Sequence, residues 1–291
     1  MSSVSSLNDA FFASGDRVGY LLVHGLAGTP AEVRFIAQSL ARRGHTVLCP
    51  LLAGHGKSRA DLDATCWQDW YASVEAAHAE LAQQCDVIIV GGISAGAMLA
   101  LHLAAQRPDQ VDGVVLFAPT LWANGWAIPK PFELVRLIND KWTAGWFHFS
   151  EAAPYGLKDE RVRRLVIDGL TADGTKGGAL PGYSGRTILE FKWLVTATMR
   201  EAGRVKQPTL IFHPREDDQS DLANSQRLLR RLGGLVEMIV LDDCYHMVTL
   251  DKQRGLVFEK TALFGAWLAS RDAGSRRDGQ RSAAAAAPAT D

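Results

Sequence analysis

The chain has 291 residues, of which 47% are hydrophobic, so it can bury a large core, and one main domain is expected for an α/β protein of this length. Lys and Arg number 31 against 32 Asp and Glu, and this balance argues against nucleic acid or an anionic membrane as a partner. The first residues lack a basic start and an apolar stretch, and no run of about 18 uncharged apolar residues occurs, so we expect a cytoplasmic protein without a membrane span.

Short apolar runs alternate with helix-like segments along the first part of the chain. Buried strands are predicted at Tyr20–Val23, Thr46–Cys49, Val87–Val90 and Val114–Phe117. Helices are predicted from about Thr29 to Arg43, after Thr65, and from Ala95 to Arg107. Thr29 with Glu32, and Thr65 with Gln68, match the capping box that begins a helix. This alternation implies right-handed crossovers and a doubly wound parallel sheet, whose functional loops gather at the carboxyl ends of the strands.

The alternation stops at about residue 120 and resumes at about residue 187. This excursion is too long for an ordinary connection, and its aromatic residues indicate an ordered cap or lid. Further strands are predicted at Thr209–His213 and Val236–Leu241, with helices at about 187–202, 222–232 and 255–270. The remaining residues are polar and simple in composition, which predicts a disordered tail. The predicted organisation is a core in two parts, 1–119 and 187–270, a cap at 120–186 and a tail at 271–291.

One motif lies between the third predicted strand and the helix after it: Gly92-Ile93-Ser94-Ala95-Gly96. Gly-x-Ser-x-Gly is the pattern of a nucleophile elbow, a sharp turn that exposes a serine hydroxyl. Ser94 could instead cap the helix or help to bind a phosphate at its start. A nucleotide site is disfavoured because Gly-x-Gly-x-x-Gly is absent, and Ala97 and Met98 stand where a P-loop needs Lys and Ser or Thr.

A serine nucleophile needs a histidine base, a carboxylate that orients the base, and two donors for the oxyanion. In hydrolases with this elbow, the serine comes first in the chain, the acid second and the histidine last. Two late segments follow predicted strands and satisfy that order. They are His213-Pro214-Arg215-Glu216-Asp217-Asp218 and Asp242-Asp243-Cys244-Tyr245-His246.

Together with the elbow, four further motifs resemble those of the small bacterial carboxylesterases and monoacylglycerol lipases of the α/β-hydrolase superfamily. They are His24-Gly25-Leu26-Ala27-Gly28-Thr29-Pro30, Gly54-His55-Gly56, Asp69-Trp70 and Tyr245-His246-Met247-Val248-Thr249-Leu250-Asp251. The resemblance covers nearly the whole chain apart from the insertion and the tail. It implies an α/β-hydrolase fold, a doubly wound and mostly parallel sheet with a helical cap insertion, and a metal-free serine esterase.

The resemblance also implies roles for individual residues. Ser94 corresponds to the nucleophile, and His246 to the general base that later acts as an acid. Asp217 corresponds to the orienting acid, because the four-residue turn after the family's strand ends at this position. Glu216 and Asp218 compete for that role and are interpreted as solvated turn charges.

The family's oxyanion donors correspond to the backbone amides of Leu26 and Ala95. His24 and His55 resemble family residues that join active-site loops by hydrogen bonds, while His213 follows a strand and could touch the site. No two histidines have a convincing metal-ligand spacing on one element, and the four cysteines lack a Cys-x-x-Cys spacing. We therefore expect reduced thiols, no metal and no organic cofactor.

The expected function is the hydrolysis of carboxylic esters with short to medium acyl chains through an acyl-enzyme, with monoacylglycerols as one candidate substrate. The expected partner is therefore a small-molecule ester. Candidate lining residues for an apolar acyl pocket are the tryptophans of the insertion: Trp122, Trp126, Trp142 and Trp146. Thioester hydrolysis or acyl transfer could use the same triad, and a non-catalytic small-molecule receptor could use the same fold. The oligomeric state, monomer or homodimer, is left open.

Overall fold

The structure is a computed structural model that describes residues 8–149, 153–165 and 183–285. Its centre is a seven-stranded sheet with the strand order β1-β3-β2-β4-β5-β8-β9. These strands are β1 (Phe11–Ala13), β2 (Val18–Val23), β3 (Thr46–Cys49), β4 (Val87–Ile93), β5 (Gly113–Phe117), β8 (Thr209–Pro214) and β9 (Val236–Leu241). Only β1 runs antiparallel to its neighbour, so the predicted, mostly parallel sheet is confirmed.

The connections between strands carry the helices. They are α1 (Ala31–Arg42), α2 (Arg59–Asp63), α3 (Trp67–Ala82), α4 (Ala95–Gln106), α5 (Lys141–Ala144), α6 (Gly185–Glu201), α7 (Ala223–Leu229) and α8 (Arg254–Ala285). Residues 160–165 are also helical, and 3₁₀ turns occur at Lys130–Leu137 and Ala202–Arg204. Two short antiparallel strands, β6 (His148–Phe149) and β7 (Tyr183–Ser184), pair beside the main sheet. None of the described helices combines the length and apolarity needed to cross a bilayer.

The side chains of the central strands alternate between two buried layers, as the two-residue period of a strand requires. On β4, Ile88 and Val90 pack in one cluster with residues of α3 and α4. Val87 and Ile89 pack in the other cluster with residues of α1 and α8. Because both faces of the strand are covered by helices, its residues form a continuous apolar run rather than an apolar–polar alternation.

The start of α1 differs from its predicted capping box. The helix begins at Ala31 with Pro30 at the N-cap position, and no side chain caps it. The Glu32 carboxylate instead accepts the backbone N–H of Gly25 at 2.7 Å. A contact with a distant loop has thus replaced the local contact that the pattern predicts.

The predicted capping box of α3 is shifted by one residue. Cys66 is the N-cap, and the Asp69 carboxylate accepts its backbone N–H at 2.8 Å. The Thr65 hydroxyl accepts the indole N–H of Trp70 at 2.8 Å. Because Trp70 is almost completely buried, its single polar hydrogen needs a partner, and Thr65 provides it.

The last helix is longer than predicted. The sequence predicts a helix from about Gly255 to Ser270 and a disordered tail, whereas α8 continues to Ala285. Arg, Gln and Ala in this stretch have high helix propensity, and extending an existing helix avoids the cost of starting a new one. Residues 286–291 of the predicted tail, and residues 150–152 and 166–182 of the predicted cap, lie outside the described residues.

Candidate active site

Ser94 lies in the sharp turn between β4 and α4. Its backbone has φ 54° and ψ −114°, a conformation that non-glycine residues rarely adopt. A Cβ on Gly92 would lie 2.4 Å from the carbonyl carbon of Gly96, and a Cβ on Gly96 would lie 2.4 Å from the carbonyl oxygens of Val23 and His24. Both glycines of the motif are therefore steric requirements of this turn.

The loop after β2 runs beside the Ser94 turn, because β2 and β4 are parallel neighbours that pair as far as Val23 and Gly92. A Cβ on Gly25 would lie 3.5 Å from the Cβ of Ser94. Ala95 is the first residue of α4, so its N–H is one of the donors that a helix start leaves without an intrahelical acceptor. The N–H of Leu26 also has no acceptor among the described residues. Two amides are thus available near the serine.

His24 joins the loop after β2 to the loop after β3. Its Nδ1 lies 2.9 Å from the carbonyl oxygen of Gly25, and its Nε2 lies 3.2 Å from the backbone nitrogen of Leu52. Because a carbonyl only accepts and an amide N–H only donates, the ring carries its proton on Nδ1 and is neutral. Burial, together with neighbouring His55, lowers the pKa of His24 to about 3, and burial lowers the pKa of His55 to about 4. Both rings therefore act as neutral structural links.

Asp217 and His246 meet at the carboxyl ends of β8 and β9. His246 Nδ1 lies 2.9 Å from Asp217 Oδ2 and 3.1 Å from Oδ1, and both side chains are buried. Asp217 Oδ1 also accepts the backbone N–H groups of Gln219 and Ser220 at 2.8 Å each. With Nδ1 donating to this carboxylate, His246 Nε2 is left as the basic nitrogen.

A chain of hydrogen bonds links Ser94 to Asp217. The Ser94 hydroxyl contacts Thr120 Oγ1 at 3.2 Å, and Thr120 Oγ1 contacts Ser220 Oγ at 3.0 Å. The backbone N–H of Ser220 then donates to Asp217. Sequence reasoning missed Thr120 and Ser220 because no motif includes them. Their positions just after β5 and β8, at the edge of the sheet where functional loops gather, were the available signal.

Asp218 is not the solvated turn charge that the sequence suggested. It is only 1% exposed and accepts the backbone N–H groups of Gly156 at 2.9 Å and His246 at 3.2 Å. Burial raises the pKa of this carboxyl. The interpretation is correct for Glu216, which is exposed and pairs with Lys158 at 2.9 Å. Asp218 therefore fixes the backbone of the histidine loop and ties residue 156 to it.

A second histidine lies on the other side of Asp217. His213 is completely buried, and its Nε2 lies 2.9 Å from the carbonyl oxygen of Ser220 and 3.5 Å from Asp217 Oδ2. Its Nδ1 lies 2.8 Å from Ser225 Oγ. Because Ser220 O can only accept, the proton is on Nε2, and Nδ1 accepts from the serine hydroxyl. Burial lowers the pKa of His213, so the neutral ring supports the turn that carries the acid.

The four tryptophans of the insertion do not share one environment. Trp122 is buried in a small cluster with Val135 and Ile188. Trp126 is 59% exposed, donates its indole N–H to the carbonyl of Glu216 at 3.0 Å and packs edge-on against Tyr245. The exposed pair Trp142 and Trp146 pack against each other with ring centroids 4.7 Å apart. Of the four, Trp126 contacts the immediate sequence neighbours of both Asp217 and His246.

Metal-binding side chains do not converge in the part of the chain that the structure describes, where no group of three or more His, Cys, Asp or Glu could share an ion. The cysteines Cys49, Cys66, Cys85 and Cys244 are all free thiols. Burial raises the pKa of Cys49 to about 12, so this thiol stays protonated at neutral pH.

Comparison with known proteins finds lipases and esterases along nearly the whole chain. The Hydrolase_4 family model, described as serine aminopeptidase, S33, matches residues 18–253. The thermostable monoacylglycerol lipase of Bacillus sp. (strain H-257) is 30% identical over 259 residues, which cover 88% of this chain and 93% of the lipase. The carboxylesterase of Bacillus subtilis (strain 168) is 32% identical over 250 residues, covering 85% of this chain and 92% of the relative.

Solved structures show the same fold. A structure from the study of the metagenome-derived lipolytic enzymes LipS and LipT has a TM-score of 0.74 and 28% identity, and the match covers 91% of this chain and 99% of that one. The monoacylglycerol lipase of Paleococcus ferrophilus has a TM-score of 0.68 with 19% identity, covering 90% of this chain and 98% of that one. At that identity the second likeness concerns the fold alone.

The neutral buried histidines predict that stability falls in mild acid. Because the folded-state pKa values of His24 and His55 lie below the ordinary value, the unfolded chain takes up protons first as the pH falls below about 6.5. The free energy of unfolding should then decrease by about 1.4 kcal/mol per pH unit for each ring until the folded-state pKa is reached. Urea unfolding of wild type and His55→Asn at pH 6.5 and 5.5 measures this, and the variant should show the smaller decrease.

An equal pH dependence in wild type and His55→Asn would contradict the assignment of His55 as a buried neutral ring.

Proposed function

Because this chain belongs to the Hydrolase_4 family and is an ester-hydrolysing enzyme of the α/β-hydrolase fold, we propose that Ser94, Asp217 and His246 are its catalytic triad. The observation that carries the proposal is the buried contact of Asp217 with His246 Nδ1 at 2.9 Å, together with the hydrogen bonds through Ser220 and Thr120 that link Asp217 to the Ser94 hydroxyl. The order Ser, Asp, His along the chain is the order used by hydrolases with this elbow.

In the proposed acylation step, Ser94 Oγ attacks the carbonyl carbon of the ester while His246 Nε2 takes the hydroxyl proton. The π electrons of the carbonyl move to its oxygen, and the resulting imidazolium is stabilised by the Asp217 carboxylate. Collapse of the tetrahedral intermediate breaks the bond to the leaving alkoxide, which takes the proton back from His246. In the structure, the Ser94 hydroxyl contacts Thr120 Oγ1 at 3.2 Å.

The amides of Leu26 and Ala95 are the proposed oxyanion donors. They support the intermediate because the charge moves to the carbonyl oxygen, where fixed N–H dipoles stabilise it without reorganisation. Loss of one such donor typically costs about 3 kcal/mol of transition-state stabilisation. In the second half of the reaction, water replaces the alcohol: His246 takes its proton, the hydroxide adds to the acyl carbon, and Ser94 leaves with that proton.

For substrates, we propose carboxylic esters with short to medium acyl chains, including monoacylglycerols. The relatives named monoacylglycerol lipase and carboxylesterase support this class. Trp126 supports an apolar wall near the triad, because its exposed ring is held against Tyr245, which precedes His246. Thioester hydrolysis or acyl transfer differs only in the leaving group or acceptor and is tested in the same assays, whereas a non-catalytic receptor does not fit an ester-hydrolysing enzyme.

The nucleophile can be tested by covalent labelling. A fluorophosphonate should label wild type on the peptide that carries Ser94, because only an activated hydroxyl displaces the fluoride. Ser94→Ala should lose labelling and reduce kcat by about 10⁴ or more, with little change in melting temperature. Ser220→Ala is the matched control and should still be labelled. A folded Ser94→Ala protein with wild-type turnover would falsify the triad.

Replacing Asp217 and replacing Asp218 should have different effects on the enzyme. Asp217→Asn should lower kcat by about 10⁴, because an amide cannot stabilise the imidazolium and favours the wrong tautomer. Asp218→Asn should mainly lower the free energy of unfolding, by about 1–3 kcal/mol, because the bonds to Gly156 and His246 lose their ionic acceptor. Measuring kcat and urea unfolding for both variants checks this. The opposite ranking of kcat would move the orienting role to Asp218.

Chain-length preference tests the proposed acyl wall. Against p-nitrophenyl esters of graded length, kcat/KM should rise while each added methylene is buried, at about 0.8 kcal/mol apiece, and then level off. Trp126→Ala should flatten this rise, whereas Trp267→Ala on α8 should not.

Acyl thioesters and an amino-acid p-nitroanilide belong in the panel, since the family description names an aminopeptidase. If the p-nitroanilide is the better substrate, the ester proposal is wrong; an unchanged profile in Trp126→Ala removes Trp126 from the wall.

A further inference from the structure

A cavity lies between α6, α7 and the segment that follows β5. Its volume is about 510 Å³, and its lining includes neither Ser94 nor His246. This volume falls in the usual range of small-molecule sites, roughly 300–1,000 Å³. The cavity is therefore large enough for a ligand of its own.

Arginines line both walls of this groove. Arg200 comes from α6, Arg227 lies on α7, and Arg231 lies in the turn that follows α7. None of the three lies within 4.0 Å of a carboxylate among the described residues. Since the chain as a whole carries a net charge of −1, this grouping is a local excess of positive charge.

The acidic residue of the lining does not offset that excess. Asp221 accepts the backbone N–H of Ala223 and the side-chain N–H of Asn224, both at 3.1 Å, and so serves the start of α7. A fourth arginine, Arg136, pairs with Glu133 at 3.0 Å and stacks over the Trp122 ring. Like charges gathered in one groove repel each other, and an anion between them converts the repulsion into charge-assisted hydrogen bonds.

Besides the polar residues Asn124, Thr196 and Asn224, the lining includes four larger apolar residues, which we call the apolar floor. Leu121 and Trp122 are buried residues of the segment after β5, and Val195 and Met199 of α6 are partly buried against the main core. A bare inorganic anion would leave this surface uncovered. The combination of guanidinium groups with an apolar floor matches a molecule that has one charged end and one apolar end.

We propose that this groove binds one amphiphilic anion, an alkyl chain that ends in a carboxylate or phosphate. The anionic group binds Arg200, Arg227 and Arg231, and the chain covers the apolar floor beside Trp122. The lining of the groove does not include Ser94, so binding there does not depend on the catalytic role of this residue.

Isothermal titration calorimetry with dodecanoate and dodecyl phosphate, each below its micelle concentration, tests the proposal. Both anions should bind the wild-type protein saturably, and the double variant Arg227→Gln/Arg231→Gln should raise their Kd values at least tenfold. Arg230→Gln is the matched control, because Arg230 lies on the same helix end but outside the lining, and it should bind like wild type. Binding by only one of the two anions fixes which headgroup the groove takes and still supports the proposal.

Three further binding measurements, with one more variant and two other ligands, can contradict the proposal. Arg200→Gln, on the opposite wall, should weaken binding as well, so the test does not rest on one helix alone. Dodecyltrimethylammonium should not bind this groove, and inorganic phosphate should bind far more weakly than dodecyl phosphate. Equal Kd values in wild type and the double variant, no saturable binding of either alkyl anion, or equal affinity for inorganic phosphate and dodecyl phosphate would overturn the proposal.

Discussion

The close approach of α4 to the end of β2 is the constraint on which the rest of the site depends. At Gly96 the backbone comes so near the carbonyls of Val23 and His24 that no Cβ fits between them. This contact places the loop after β2, with the proposed oxyanion donor Leu26, beside Ser94. β2 and β4 are neighbours near the middle of the sheet, and their parallel pairing brings both loops out at the same edge. The strained φ of Ser94 is held by packing on both sides, since the strand before it and the helix after it are completely buried or nearly so.

Two adjacent carboxylates hold the histidine at different atoms. Asp217 contacts the ring of His246, and Asp218 accepts the backbone N–H of the same residue. Two buried negative charges side by side are costly unless each is well supplied with donors, and here each accepts from more than one group. The neutral tautomer of His213 adds support to the turn without introducing a positive charge next to the acid. The proposed base is thereby fixed through both its ring and its main chain, which leaves Nε2 with little freedom to point elsewhere.

Sequence periodicity predicted the sheet well because buried parallel strands consist of continuous apolar residues, and β3 and β9 have their predicted limits. The capping-box predictions were wrong where another residue binds the same polar side chain. Glu32 serves Gly25 rather than its own helix, and Thr65 serves Trp70. No motif predicts the Thr120–Ser220 contact, which joins residues a hundred positions apart and is indicated only by their positions after two strands. Asp218 was misread for a related reason: charged residues in a turn are usually solvated, and its burial depends on Gly156 arriving from another part of the chain.

The contact with Gly156 is one of several hydrogen bonds that connect the insertion directly to the loops of Asp217 and His246. Another is the bond from the Trp126 indole to the carbonyl of Glu216, the residue before Asp217. Each bond ends on backbone or on a side chain adjacent to the proposed triad, so a displacement of the insertion would disturb the acid and the base together. Such coupling restricts how the insertion can move: parts near Gly156 and Trp126 must stay in place for the triad to keep its geometry. The exposed ring of Trp142 lies on α5 and that of Trp146 lies just after it, and α5 packs against α6. Variation in substrate preference is therefore easier to accommodate on the α5 side, where repacking leaves the hydrogen bonds of the acid and base intact.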